Sequence, residues 1–201
     1  MGARLFTAIV PPDRVVEELD AFLEPRRVAE PRLRWTRPET WHLTTAFMPD
    51  VPDGSLDRLV EGLDQAAART PAFDLALAGG GAFPHALETR LLWLGVMEAA
   101  VQPLAQLAER SRNAAVRSGV RVDGARFTPH LSLARAGRPL DTTRLIRVLD
   151  TFEAPGWFAD ELVLVQSHLH DQARRYEVLE RFTLAGHPGE ERTRKPYDTG
   201  E

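Results

Sequence analysis

Two short segments constrain this chain more than anything else in it: Trp41-His42-Leu43-Thr44 and Pro129-His130-Leu131-Ser132. Each sits in a run of strand character, residues 41–47 and 127–133, and each is the second strand of its half. Around them the chain reads the same order twice, strand–helix–strand–helix–strand. In the first half, residues 5–10 form a strand ended by Pro11-Pro12, and Asp13 caps a helix carrying Val15, Val16, Leu19, Phe22 and Leu23. Pro25 and Pro31 disturb its end, Pro49-Asp50 closes the motif strand, Ser55 caps the next helix, and residues 73–77 alternate as a strand. In the second half, residues 90–96 read as a buried strand and residues 101–116 as a helix, with Pro103 near its first turn and Gly119 just past its end. Asp141 caps a helix with Leu145, Val148 and Leu149, and residues 162–165 and 176–179 form a closing hairpin. A repeat on this scale is a duplicated lobe, too long for a solenoid unit. The expectation is one domain over residues 1–185, built of two pseudo-symmetric lobes whose motif strands face a shared cleft. A polar tail over 186–201 is expected to lack fixed structure.

In a strand, residues i and i+2 point the same way. His42 and Thr44 therefore share a face, as do His130 and Ser132, while Leu43 and Leu131 point into the packing layer. One His-x-Thr on a strand is most often a structural histidine, but two copies in matching strands of a duplicated chain reverse that balance. Two imidazoles supply a base and an acid near neutrality, and two hydroxyls supply neutral donors to phosphate oxygens. Such a set suits in-line displacement at phosphorus without a metal.

Composition closes off other chemistries. The chain has 201 residues, enough to bury roughly 70% of its unfolded surface without staples. It contains no cysteine, which removes thiol nucleophiles, Cys-ligated zinc, iron–sulfur clusters and disulfides. Of its 25 basic residues only Lys195 is a lysine, so there is neither a Gly-Lys-Ser/Thr phosphate loop nor a core lysine to adenylate. A net charge of −4 gives no long-range pull on nucleic acid, so a phosphate site has to be local. No signal core and no 18-residue apolar run appears, and a cytoplasmic location is expected, with no membrane partner.

With these flanks the chain resembles the two-histidine (2H) phosphoesterase superfamily, nearest to the bacterial LigT-like RNA 2′,3′-cyclic phosphodiesterases, formerly called 2′-5′ RNA ligases. The resemblance is carried by Arg4-Leu5-Phe6 with Pro11-Pro12, Arg34-Trp35, Trp41-His42-Leu43-Thr44 and Gly81-Ala82-Phe83-Pro84. It continues through Leu92-Trp93-Leu94-Gly95, residues 127–135 and Arg175-Tyr176-Glu177-Val178-Leu179, covering residue 4 to about 185. It implies an α+β bilobal fold, each lobe an antiparallel-type sheet with two outer helices around a central cleft. It also implies cofactor-free and metal-free hydrolysis of a terminal cyclic phosphate on RNA to a 2′-phosphomonoester, and a monomer is expected. His42 is then the proton donor to the leaving 3′-oxygen, His130 the proton acceptor that activates water, and Thr44 and Ser132 hold phosphate oxygens.

Three positions depart from the family pattern: Ser132 where threonine is usual, Thr45 for a leucine, and Met48-Pro49-Asp50 for a Leu-Gly turn. The family places a phosphate-binding arginine at Arg135. Strand parity sets Arg135 opposite His130 unless the strand ends or bulges after Leu133, and the alternative is a solvated rim charge. Phe6 has two readings, stacking on a base and packing in the core. His168 and His170 have metal-like spacing but sit at a hairpin with no third ligand in view, and His85 and His187 have no partner in sequence. Gly79-Gly80-Gly81 precedes no helix and reads as a flexible connector. Two other functions fit the same residues: ATP-independent 2′-5′ joining of RNA ends, and an RNA-end-binding module without turnover.

Overall fold

Alternation along the first strand shows how the sheet is used. Leu5 and Ile9 join the large core beneath the helices, whereas Phe6 and Ala8 are buried on the other face, with Val163 and Val165. The computed structural model of the chain describes residues 2–124, 126–170 and 173–186, with 169, 170 and 173–175 described by backbone alone. Nearly all of the expected tail lies outside the described residues.

The first half comprises β1 (Ala3–Ile9), α1 (Asp13–Ala29), β2 (Leu33–Trp35), β3 (Leu43–Val51), α2 (Leu56–Ala68), β4 (Phe73–Leu75) and β5 (Leu77–Phe83). The second comprises β6 (Thr89–Val96), α3 (Glu98–Arg117), β7 (Leu131–Leu140), α4 (Thr143–Leu149), β8 (Trp157–Ala159), β9 (Glu161–His170) and β10 (Ala173–Thr183). The fold is α+β. One antiparallel sheet runs β10-β9-β1-β3-β7-β6-β5, with β2 added beside β7, and β4 pairs with β8 in a separate ribbon. Among the described residues no helix is long and apolar enough to cross a membrane.

The two halves of the sequence are not the two halves of the sheet. β5 leaves the first half to pair with β6, and β9 leaves the second half to pair with β1. Each half thus lends a late strand, β5 or β9, to the other, and α2 packs on α3 while α4 packs on β5. Elements approach closely where side chains are small. A Cβ at Gly62 would lie 3.4 Å from the Ala114 Cβ between α2 and α3, and one at Gly80 would lie 2.7 Å from Leu149 of α4.

Three expectations need correction here. Gly79-Gly80-Gly81 is not a flexible connector but part of β5, where Gly81 has no room for a side chain because the Trp93 indole fills that space. Pro49-Asp50 does not end its strand. β3 runs on to Val51, because Met48 to Val51 bulges against the shorter stretch Leu5 to Ala3, and a bulge has a place for a residue with no N–H to donate. Ser55 stands at the start of α2 but makes no capping hydrogen bond; it is buried.

Candidate active site

β3 and β7 touch at a single antiparallel pair, Leu43 opposite Leu131. Both leucines are buried in the helix-side core, 1% and 0% exposed. Counting one residue either way sets His42 across from Ser132 and Thr44 across from His130, all on the face opposite those leucines. The pseudo-twofold of the duplication passes through the leucine pair, and the two motifs meet where it crosses the sheet.

Each histidine stands just before its strand and is held the same way. Nδ1 of His42 lies 2.7 Å from the Thr40 carbonyl, and Nδ1 of His130 lies 2.7 Å from the Thr128 carbonyl. A carbonyl only accepts, so Nδ1 carries the proton in both rings and Nε2 is left for the substrate. Aromatic rings fix the planes. Phe6 stacks on His42 at 4.5 Å and Tyr176 meets it edge-on at 5.4 Å. Phe83 meets His130 edge-on at 5.1 Å, with Trp93 tilted at 6.1 Å. Burial drives His42 down from 6.5 to about 4, against the Thr40 carbonyl, with the charge of His130 adding to the fall. His130 is lowered for the same first reason, with Arg135 adding to it. Both rings are therefore neutral at neutral pH, and an incoming anion is what favours a proton on one of them.

A bulge sits at the same place in both motifs. Opposite β6, Ser132 pairs with Trp93 and Ala134 with Leu92, so Leu133 is extra; opposite β1, Thr44 pairs with Ala8 and Ala46 with Thr7, so Thr45 is extra. The bulge flips the side-chain alternation: Leu133, Ala134 and Ala136 are all buried while Arg135 is exposed. Arg135 thereby returns to the face of His130 and Ser132, and its charge reaches the ring. Thr45, the residue in place of a leucine, is buried with its hydroxyl 2.7 Å from that of Thr7.

Segments leading into each histidine brace the other motif. Thr36 receives a hydrogen bond from the Trp41 indole at 2.8 Å. Its backbone N–H donates to the Leu133 carbonyl at 2.8 Å, and its hydroxyl reaches the carbonyls of Leu133 and Ser132. The Asp123 N–H donates to the Phe47 carbonyl at 3.0 Å. Thr36, Trp41, Phe83, Trp93 and Tyr176 were not read as site residues from sequence. The only available signal was that the aromatic flanks come in both halves.

Phe6 is not available to stack on a base: it is 4% exposed, between His42, Tyr176 and the floor of Ala8, Val163 and Val165. It positions the imidazole. His168 pairs with Glu177 at 3.0 Å and His85 with Glu88 at 3.4 Å; the side chain of His170 and all of His187 lie outside the described residues. Among the described residues no three His, Asp or Glu side chains gather as a metal site would need.

The 2′-5′ RNA ligase superfamily profile matches residues 11–171. An RNA 2′,3′-cyclic phosphodiesterase of Thermus thermophilus is 32% identical over 98% of both chains. One of Geobacillus stearothermophilus is 32% identical over 77% of this chain, though the match spans only 48% of that longer protein. The structure of E. coli LigT complexed with 3′-AMP superposes with a TM-score of 0.74 at 27% identity, over 92% of this chain and 99% of that one. Paired histidine strands, a shared bulge and these likenesses together settle the family: the chain belongs to the 2′-5′ RNA ligase superfamily.

Proposed function

We propose that the protein hydrolyses terminal 2′,3′-cyclic phosphates on RNA to 2′-phosphomonoesters, using two histidines and no metal. The observation that carries this reading is the matched pair of imidazoles, each with Nδ1 tied to the carbonyl two residues before it and a hydroxyl on the same face of the same strand. Relatives named RNA 2′,3′-cyclic phosphodiesterase support it.

In the reaction, His130 Nε2 takes a proton as water oxygen bonds to phosphorus. The P–O3′ bond breaks, and His42 Nε2 gives its proton to O3′. Thr44, Ser132 and Arg135 donate to the non-bridging oxygens as charge builds on them. With a 5′-hydroxyl in place of water the same pair would join RNA ends: O5′ bonds to phosphorus as it loses its proton to the base, P–O3′ breaks and O3′ takes a proton, leaving a 2′–5′ phosphodiester, a reaction with which bulk water competes.

The reading is tested by incubating a short RNA ending in 2′,3′-cyclic phosphate and identifying the isomer. A 2′-phosphate is expected. A 3′-phosphate, or saturable binding without product, contradicts it. A second reading exchanges the two roles, and the burial that holds His42 neutral favours it as the base. A phosphodiester with a nitrophenolate leaving group, which needs no protonation, decides between them: rescue of His42→Ala alone makes His42 the donor, and rescue of His130→Ala alone makes it the acceptor.

A further inference from the structure

The equivalence of the two motifs matches Phe47 to Arg135, each five residues past its histidine and each returned to the cleft face by the bulge. The first motif strand therefore carries a ring where the second carries a guanidinium. Yet a guanidinium is there as well. Arg4, from the neighbouring strand β1, lies over the Phe47 ring with its Cζ 4.5 Å from the centroid.

Arg4 shares the face of Phe6, two residues along β1, and Phe6 is the ring stacked on His42. Two residues of strand span about 6.8 Å. That is comparable to the separation of successive phosphates in a single strand of RNA. Arg4 Nε is buried without a hydrogen-bond partner, and among the described residues no carboxylate pairs with this side chain. A half-buried cation set over a ring, with its Nε short of an acceptor, is prepared for an anion.

We propose that Arg4, laid on Phe47, binds the phosphodiester on the 5′ side of the terminal nucleoside, so that the site reads an RNA chain end and not a mononucleotide. This rests on the cyclic-phosphate reading above and adds a second phosphate subsite to it. Phe47 acts as the platform that fixes the guanidinium plane.

The test compares kcat/KM for a dinucleoside 2′,3′-cyclic phosphate with that for a nucleoside 2′,3′-cyclic phosphate lacking a 5′-phosphate. Arg4→Gln is expected to lower the dinucleotide-to-mononucleotide ratio about tenfold or more, the value of one charge-assisted hydrogen bond. The ratio is unaffected by any loss of folded protein. A ratio unchanged by the substitution overturns the proposal. Should Arg4→Gln fail to fold, a methylphosphonate linkage in the dinucleotide, which removes the charge, must cost wild-type protein the same factor; equal rates on the charged and neutral linkages overturn the proposal too. Binding of the dinucleoside 2′-phosphate separates this inference from the activity it rests on. If neither substrate turns over, the cyclic-phosphate reading fails. The salt dependence of log K must still flatten by about 0.7 in Arg4→Gln if Arg4 meets a phosphate, and an unchanged slope rules the subsite out.

Discussion

The ring of Phe6 lies against the imidazole of His42, 4.5 Å between centroids and 25° between planes, while the edge of Tyr176 closes on both. With Nδ1 held by Thr40, this leaves the imidazole neither tilt nor flip, and Nε2 keeps one direction. Phe6→Leu retains an apolar side chain under the ring and removes the flat contact. It should lower kcat by up to about 10²-fold, the cost of a group misplaced by an ångström, with a smaller change in KM. Steady-state kinetics on cyclic-phosphate RNA checks this. A change confined to KM would mean that Phe6 meets the substrate.

His42 also makes stability depend on pH. The folded ring titrates near 4 and the unfolded one near 6.5, so between those values the unfolded chain binds a proton that the folded chain refuses. This contribution is fully present above about pH 6.5 and is lost as pH falls through about 4, reaching about 3 kcal/mol. Urea unfolding at pH 7.5 and pH 4 should show wild type losing more stability than His42→Asn by about that amount. Equal losses would show that the ring is solvated.

Ser132 keeps the hydroxyl of the usual threonine without its methyl. Ser132→Thr should retain substantial activity, and Ser132→Ala should lose about 10²–10³ in rate, as when one donor to a developing oxyanion is removed. Full activity in Ser132→Ala would place the hydroxyl outside the phosphate site.

Gly81 lies against the Trp93 indole, and Trp93 neighbours His130. Gly81→Ala forces the indole to move. It should destabilise the fold by about 1–3 kcal/mol, as overpacking does, and should depress kcat through the displaced ring. Thermal unfolding together with kinetics on the folded fraction checks both. A variant as stable and active as wild type would mean that the strand yields instead.

The same glycines mark where the sequence stopped being legible. Three in a row look like a hinge to any local rule, because the reasons for Gly81 and Gly80 are the Trp93 ring one strand away and Leu149 one helix away, while Gly79 takes a positive φ of 75°. The motif strands were legible because His42, Leu43 and Thr44 alternate between cleft and core, a period of two that needs no partner to be seen. The face of Arg135 was not, since the bulge at Leu133 exists only against Trp93 and Leu92 on β6. Nor was the exchange of β5 and β9 between the halves, for apolar strands such as residues 162–165 carry no record of which edge they join. The two readings of Phe6, base stacking and core packing, stayed open for want of the same information. Its neighbours on β9 and β10 come from the far end of the chain.

In the proposed reading, His42 and His130 act as one acid–base unit without a metal. This is tested most directly by kcat/KM for cyclic-phosphate RNA, with excess chelator present, in wild type, His42→Ala, His130→Ala and the double variant. Expected are an active wild type, a loss of about 10²–10⁴-fold in each single variant with the fold intact, and a double variant little worse than either. Activity that vanishes with the chelator and returns with a divalent ion, a single variant of near wild-type rate, or losses that multiply in the double variant would contradict it.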